Sequence, residues 1–198
     1  MRKRFFAAAL ILTLAFAVLA GCGNEDNGEP AIAYTPDEAF GFDAKIRTVT
    51  KFTGGQSEVN IPPEIGDTSV VRIGVGAFSG NQRITSVTIP DSVTDIAWNA
   101  FRDCTSLASV TTGNGATIIG DSAFSGCTSL VSVEIGDGVT IISDFAFRNC
   151  TSLVNVTIPD SVTKIGVSAF GGCTSLLEET RQRILEINPD AWFEPPVT

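Results

Sequence analysis

From Ile73 onward the apolar residues of this 198-residue chain fall on a fixed step. Ile73, Ile96, Ile119, Ile142 and Ile165 lie 23 residues apart, and so do Phe78, Phe101, Phe124, Phe147 and Phe170, each preceded by alanine. A third column holds Leu107, Leu130, Leu153 and Leu176, with Ile84 heading it. A single period of this length marks a solenoid, in which each unit buries its apolar face only by stacking on its neighbours. Columns that stay apolar face inward, and columns that vary face water. In Leu130-Val131-Ser132-Val133-Glu134-Ile135 the spacing puts Leu130, Val133 and Ile135 inside, on a strand, and the matching strands stack in parallel about 4.8 Å apart. Ile142, Ala146 and Phe147 then close the far side of the coil. Each large buried side chain contributes roughly 1.5–3 kcal/mol, and five units share one core, so stability is a nearest-neighbour sum.

The pattern changes at both ends, as a stack that must close its terminal faces requires. Over 40–69 the β-formers Ile46, Val49, Phe52, Val59 and Ile61 are interrupted by Thr53-Gly54-Gly55-Gln56-Ser57. This predicts an N-terminal β cap of two short strands joined by a glycine-rich turn, with Pro62-Pro63 ending the second. The solenoid itself occupies 70–177. Residues 178–198 read as a helical cap and tail: Glu178 and Glu179 come early, Arg181 and Arg183 later, Leu177, Ile184 and Ile187 make the apolar side, and Pro189 stops the helix.

Ahead of the cap, Met1-Arg2-Lys3-Arg4 is basic and Phe5 to Leu19 is apolar apart from Thr13. That run is shorter than the ~20 residues a spanning helix needs, so residues 1–21 read as a signal peptide. Leu19-Ala20-Gly21-Cys22 resembles the lipobox of bacterial lipoproteins, which implies cleavage before Cys22 and lipidation of its sulfur. Several acyl chains anchor stably where one does not. An uncleaved anchor and an ordinary signal peptide are the alternatives. Residues 22–39 begin with a polar run rich in turn formers (Asn24 to Pro30) and read as a flexible tether. The expected location is therefore that of an exported bacterial lipoprotein, membrane-anchored at the cell surface or outer envelope.

The motifs Leu-x-x-Val-x-Ile-Pro, Ser-Val-Thr-x-Ile-Gly and Ala-Phe-x-x-Cys, repeated at this period, resemble the BspA-type leucine-rich repeats of bacterial surface proteins over roughly Phe40 to Phe193. The resemblance implies a mainly β solenoid of 23-residue leucine-rich repeats with an N-terminal β cap and a short C-terminal capping helix. Two units depart from it. Thr112-Gly113-Asn114-Gly115 and Ile135-Gly136-Asp137-Gly138 replace the Ile-Pro-Asp-Ser found elsewhere, so different turns are expected there.

Charge and residue chemistry narrow the function. The formal charge is −9, and without residues 1–21 the chain carries 10 basic against 22 acidic residues, a net of −12. Nucleic acid is a poor partner for such a chain, because affinity there comes largely from Lys and Arg on phosphates. There is no histidine, hence neither the commonest general base nor the commonest metal ligand. No constellation supports a hydrolase, so the chain is read as not an enzyme and without a cofactor.

Cys104, Cys127, Cys150 and Cys173 each open a Cys-Thr-Ser-Leu motif. They form a ladder whose rungs lie within bridging range, and an exported protein permits disulfides. Parallel side chains converge poorly, however, and thiols bury well, which favours stacked free thiols. Four ligands in a row cannot make a zinc tetrahedron. The Thr-Ser pair is a turn device whose hydroxyls serve backbone groups, since a nucleophilic serine needs a base and an oxyanion site beside it. The sequons at Asn149 and Asn155 are taken as chance.

Binding is left to the outward columns. On the strand side these are Ser86, Ser109, Ser132 and Asn155, then Thr88, Thr111, Glu134 and Thr157. Trp98 and Phe145 break otherwise non-aromatic columns, and exposed aromatics on a rigid scaffold are candidate hot spots. The strand columns are small, polar and short of Tyr, Trp and Arg anchors. Two functions are carried forward. The resemblance implies a surface module that adheres to host matrix proteins and other cells; the polar strand face also permits a glycan, and a monomer is expected. The other is an envelope lipoprotein without a specific ligand.

Overall fold

The computed structural model describes residues 33–192. The expected signal peptide, the lipidation site Cys22, the tether as far as residue 32 and the tail 193–198 lie outside the described residues.

The described residues form a solenoid whose every coil passes through two parallel sheets. The face read from Leu130 to Ile135 is a five-stranded sheet of β3 (Glu58–Asn60), β7 (Ser86–Thr88), β9 (Ser109–Thr111), β11 (Ser132–Glu134) and β13 (Asn155–Thr157). Each of these strands centres on a buried valine: Val59, Val87, Val110, Val133 or Val156. A β-branched residue between two polar ones suits a strand with one face in the core and one in water. The opposite face is a seven-stranded sheet. It holds β1 (Phe40–Asp43), β2 (Thr48–Phe52), β6 (Arg72–Ile73), β8 (Asp95–Ile96), β10 (Ile118–Ile119), β12 (Ile141–Ile142) and β14 (Lys164–Ile165). Register follows the repeat, with Ile119 opposite Ile96 and Ile142, and Val133 opposite Val110 and Val156. A small antiparallel pair, β4 (Glu64–Ile65) with β5 (Thr68–Ser69), sits between β3 and β6.

The core is built by columns, as expected. Leu130, Val133, Ile142, Ala146 and Phe147 are all buried. Phe78, Phe101, Phe124, Phe147 and Phe170 form a stack with centroid separations of 4.5, 5.0, 5.2 and 5.2 Å, the offset arrangement that aromatic quadrupoles favour. Outside this ladder, threonine hydroxyls bridge the coils: Thr117 donates to the Thr94 carbonyl at 3.0 Å and Thr140 to that of Thr117 at 3.2 Å.

The glycine-bearing turns were expected to differ, yet they keep the two-residue form of the Pro-Asp-Ser turns: the Val139 amide donates to the Gly136 carbonyl at 3.1 Å, as Val93 does to Pro90 and Val162 to Pro159. A Cβ at Gly115 would overlap the Asp91 carbonyl oxygen, and one at Gly138 would overlap that of Asn114. Here the coils approach closely enough that only glycine fits. The amide of Asn114 donates to Asp91 Oδ1 at 2.7 Å and the amide of Asp137 to Asn114 Oδ1 at 3.1 Å, so side chains at the same place in each coil tie successive turns together.

Both caps are present, and in the N-terminal one the expected turn is a crossing between sheets. The segments around Phe52 and Val59 are both strands, but β2 and β3 lie in opposite sheets and do not pair. The chain from 53 to 57 is a crossing inside a coil rather than a hairpin turn. β2 pairs antiparallel with β1 instead. Ile46 falls in the β1–β2 turn and is exposed, not a core position. The tether was expected to reach residue 39, yet 33–39 pack on the cap. Thr35 is buried, its amide donates to the Asn60 carbonyl at 2.9 Å, and its Oγ1 accepts from the Asn60 amide at 2.9 Å. Phe40 and Phe52 extend the aromatic stack, with Phe52 5.2 Å from Phe78.

At the other end α1 (Glu178–Ile187) is followed by a 3-10 turn, Pro189–Trp192. Ile184 is buried and Leu185 and Ile187 pack against the core, but Leu177 is half exposed at 50% and does not join the apolar side. Asn188 ends the helix in an extended conformation, φ −150° and ψ 112°, as a residue before proline tends to.

Candidate functional site

Elsewhere in the larger sheet the isoleucine carbonyl of one coil accepts an amide of the next, as Ile142 does from Gly166 at 2.7 Å. The last such carbonyl, on Ile165, accepts from Asn188 Nδ2 at 2.8 Å, 23 residues on. The C-terminal end is therefore closed in the register of a coil, by this side chain and by the Asp190 and Ala191 carbonyls, which accept the Ser168 and Phe170 amides at 2.9 and 3.0 Å.

The interior ladder is chemically quiet. Cys104, Cys127, Cys150 and Cys173 are free and buried. Their Sγ atoms donate to the carbonyls of Phe78, Phe101, Phe124 and Phe147 at 3.1, 3.2, 3.1 and 3.0 Å. Burial pushes the Cys104 thiol up to about 12, with the neighbouring Cys127 adding to the effect. Burial also raises Cys150 well above the ordinary thiol range, helped by its hydrogen bonds with Cys127 and Cys173. A thiol that holds its proton so firmly is neither nucleophile nor metal ligand. The serines beside the cysteines serve the backbone: Ser106 Oγ donates to the Gln82 carbonyl at 2.8 Å and Ser175 Oγ to that of Thr151 at 2.7 Å. Among the described residues no group of three or more His, Cys, Asp or Glu could hold a metal ion.

The candidate binding residues fall into two separate places. Ser86, Thr88, Ser109, Thr111, Ser132, Glu134, Asn155 and Thr157 stand side by side on the outer face of the five-stranded sheet. Thr88, Glu134, Asn155 and Thr157 are exposed; Ser86, Ser109, Thr111 and Ser132 are half-buried. One column next to them was missed. Ala108, Val131, Val154 and Leu177 also lie 23 residues apart, with Val131 exposed at 44%. The signal was in the repeat itself, because this column gains side-chain bulk along the chain while its neighbours stay polar.

Trp98 and Phe145 stand elsewhere, on the turn that follows the larger sheet. Trp98 is 58% exposed beside the exposed Val75 of the previous coil. Phe145 has φ +58°, as do its equivalents in kind: Gly76, Asn99, Ser122 and Ser168 all take values from 50° to 62°. Glycine and asparagine accept this left-handed backbone readily, whereas a bulky side chain is strained there. The Arg148 guanidinium lies over the Phe145 ring, 5.4 Å from its centroid. Phe145, Arg148, Asn149, Val167, Ser168, Gly171 and Gly172 line an open groove of about 420 Å³ between the last two coils.

A family model for the BspA-type leucine-rich repeat region, in six copies, matches residues 56–191. A search of the curated proteins finds no match. Among solved structures, a leucine-rich repeat protein of T. pallidum is 25% identical, with 79% of this chain aligned to 96% of that one and a TM-score of 0.45. A leucine-rich cell surface protein of Faecalibacterium prausnitzii is 30% identical over 75% of this chain and 54% of its own, TM-score 0.36. A leucine-rich repeat protein of Bacteroides ovatus is 28% identical over 72% and 43%, TM-score 0.48. This chain thus spans nearly all of the first and about half or less of the other two. Six repeat copies covering more than two thirds of the chain, on coils whose columns, caps and register follow the same period, make it a member of the BspA-type leucine-rich repeat family.

Proposed function

We propose that this protein is an exported bacterial interaction module, a binding scaffold rather than an enzyme, held at the cell envelope by a lipid on Cys22 and acting as a monomer. Its partner is a protein of the host matrix or of another cell surface, with a glycan as the other candidate class. One observation carries the reading: inward columns repeat almost without change, while exposed positions such as Trp98, Glu134 and Phe145 break theirs on a backbone that repeats. Variation confined to the outside of a rigid coil is what a solenoid uses to recognise a partner. The cell-surface description of the F. prausnitzii relative supports an envelope location.

The test is surface-immobilised full-length protein against purified matrix proteins, with Trp98→Ala and Glu134→Lys variants. The expected result is saturable binding that at least one variant weakens about tenfold or more, as loss of a hot-spot side chain does. Uniform silence across the panel favours an envelope lipoprotein without a specific ligand. A mass spectrum of the native N-terminus tests the anchor separately, since an unmodified Cys22 removes it.

A further inference from the structure

We infer that the groove beside Phe145 is a subsite for a peptide segment presenting a side-chain carboxylate next to an apolar residue. This rests on the reading of the solenoid as an interaction module and gives one part of its surface a ligand chemistry.

Four observations lead to it. First, Phe145 occupies a left-handed position that the other coils fill with Gly76, Asn99, Ser122 and Ser168. An aromatic there strains the backbone, and the residue is still 36% exposed, so packing alone does not account for it. Second, the guanidinium above the ring has no acidic partner. Arg72, Arg102 and Arg183 pair with Asp95, Asp103 and Asp160 respectively, whereas no carboxylate among the described residues lies within ion-pair distance of Arg148. The comparison with Arg102 is direct, because both arginines stand at the same place in their coils. Arg102 is followed by Asp103, which neutralises it, and Arg148 by Asn149, which cannot. Third, the nearest acid of the same turn is already engaged: Asp144 Oδ1 accepts the Val167 amide at 2.8 Å. Fourth, Gly171 and Gly172 have no side chains to fill the opposite wall, which leaves the groove open at about 420 Å³.

The chemistry of the occupant follows. A planar guanidinium held over an aromatic ring offers a forked donor to a carboxylate, which it binds by charge-assisted hydrogen bonds. Phe145 and the exposed Val167 make an apolar bed beside it. In a molecule with a net charge of −12 after the leader, an unneutralised arginine facing a groove selects for an anion locally.

The probe is a blocked hexapeptide, acetyl-Ala-Leu-Phe-Glu-Leu-Ala-amide, and its counterpart with Gln for Glu, titrated into the full-length protein and followed by NMR. The Glu peptide is expected to bind about tenfold more tightly, from the charge-assisted contact, and to shift the Arg148 side-chain Nε–H signal. Arg148→Gln brings the Glu peptide down to the Gln peptide. Phe145→Asn, which installs the residue coil two carries at Asn99, weakens both peptides about equally and leaves the fold intact. Equal affinity for the two peptides overturns the inference, and so does unchanged affinity in Phe145→Asn. Removal of residues 193–198 leaves affinity unchanged; tenfold tighter binding would instead assign the groove to the chain's own Phe193-Glu194. A matrix protein bound through Trp98 and Glu134, with both peptides silent, overturns the subsite alone. Discriminating peptides with every matrix protein silent overturn the adhesion reading alone.

Discussion

The two ends of the solenoid solve one problem with unrelated elements. At the N-terminus the β1–β2 hairpin and residues 33–39 continue the stack, adding Phe40 and Phe52 to the aromatic column and pairing Thr35 with Asn60. At the C-terminus α1 lies across the last coil, and the contacts of a missing coil are taken over by the Asp190 and Ala191 carbonyls, which accept the Ser168 and Phe170 amides, and by two side chains, Asn188 on Ile165 and Arg183 on Asp160. Both ends cover the core and close the polar edge, the first with strands and an extended segment, the second with a helix and a 3-10 turn that bury Ile184, Ala191 and Trp192. What a terminal coil needs is therefore not tied to one element: apolar cover and hydrogen-bond closure can come from different kinds of structure.

That contrast can be broken most strongly in the middle. Phe124→Ala removes a fully buried ring from between two stacked neighbours and is expected to cost about 3–5 kcal/mol in urea unfolding. Phe52→Ala, in the cap, is expected to cost less, because the hairpin can open locally without unstacking the coils. Equal costs would mean that the hairpin is an integral coil and not a cap.

Alkaline pH sharpens the comparison, because the thiol ladder runs from Cys104 to the C-terminal coils and is absent from the first, where Asn81 stands instead. The folded Cys104 thiol is raised from 9.0 to about 12. Above pH 9 the unfolded chain loses this proton and the folded chain keeps it, so stability is constant below that pH and falls as pH rises towards 12. At pH 10 the loss is about 1.4 kcal/mol for such a thiol, and the raised Cys150 acts in the same direction. Denaturation midpoints between pH 8 and 10.5 measure it. A Cys104→Val, Cys150→Val variant is expected to flatten most of the slope.

The smallest expected effect is at the seal. Asn188→Ala leaves the Ile165 carbonyl without its partner, at about 1 kcal/mol. Amide exchange should then speed up in the last coil and leave β2 unchanged.

How much of this was legible in the sequence differs between the same two ends. The coils were, because a residue repeated five times at one step reports its burial without any outside comparison, and Phe101, Leu130 and Val133 sit where that reasoning put them. The C-terminal helix was too, from its acidic start and Pro189. The N-terminal cap was misjudged because it contains each element once. With no second copy, the strands through Phe52 and Val59 read as neighbours joined by a turn, and nothing in the pattern showed that β2 belongs with the larger sheet and β3 with the smaller. The Phe145 groove was half legible. The aromatic stood out in its column, but Arg148 became meaningful only when it was found to lie over the ring with no acid nearby. The column through Val131 does not declare itself, because its apolar residues look like core beside outward columns that stay polar.

The seal at Asn188 also bears on how such a protein can change length. Leu177 and Asn188 meet the backbone carbonyls of Val154 and Ile165, each 23 positions earlier, so these two contacts of the terminal element fall on backbone that every coil shares. Duplicating or excising one whole repeat in the gene would leave both ends seated. It would also lengthen or shorten the molecule by about 4.8 Å, changing its reach and its number of outward positions together.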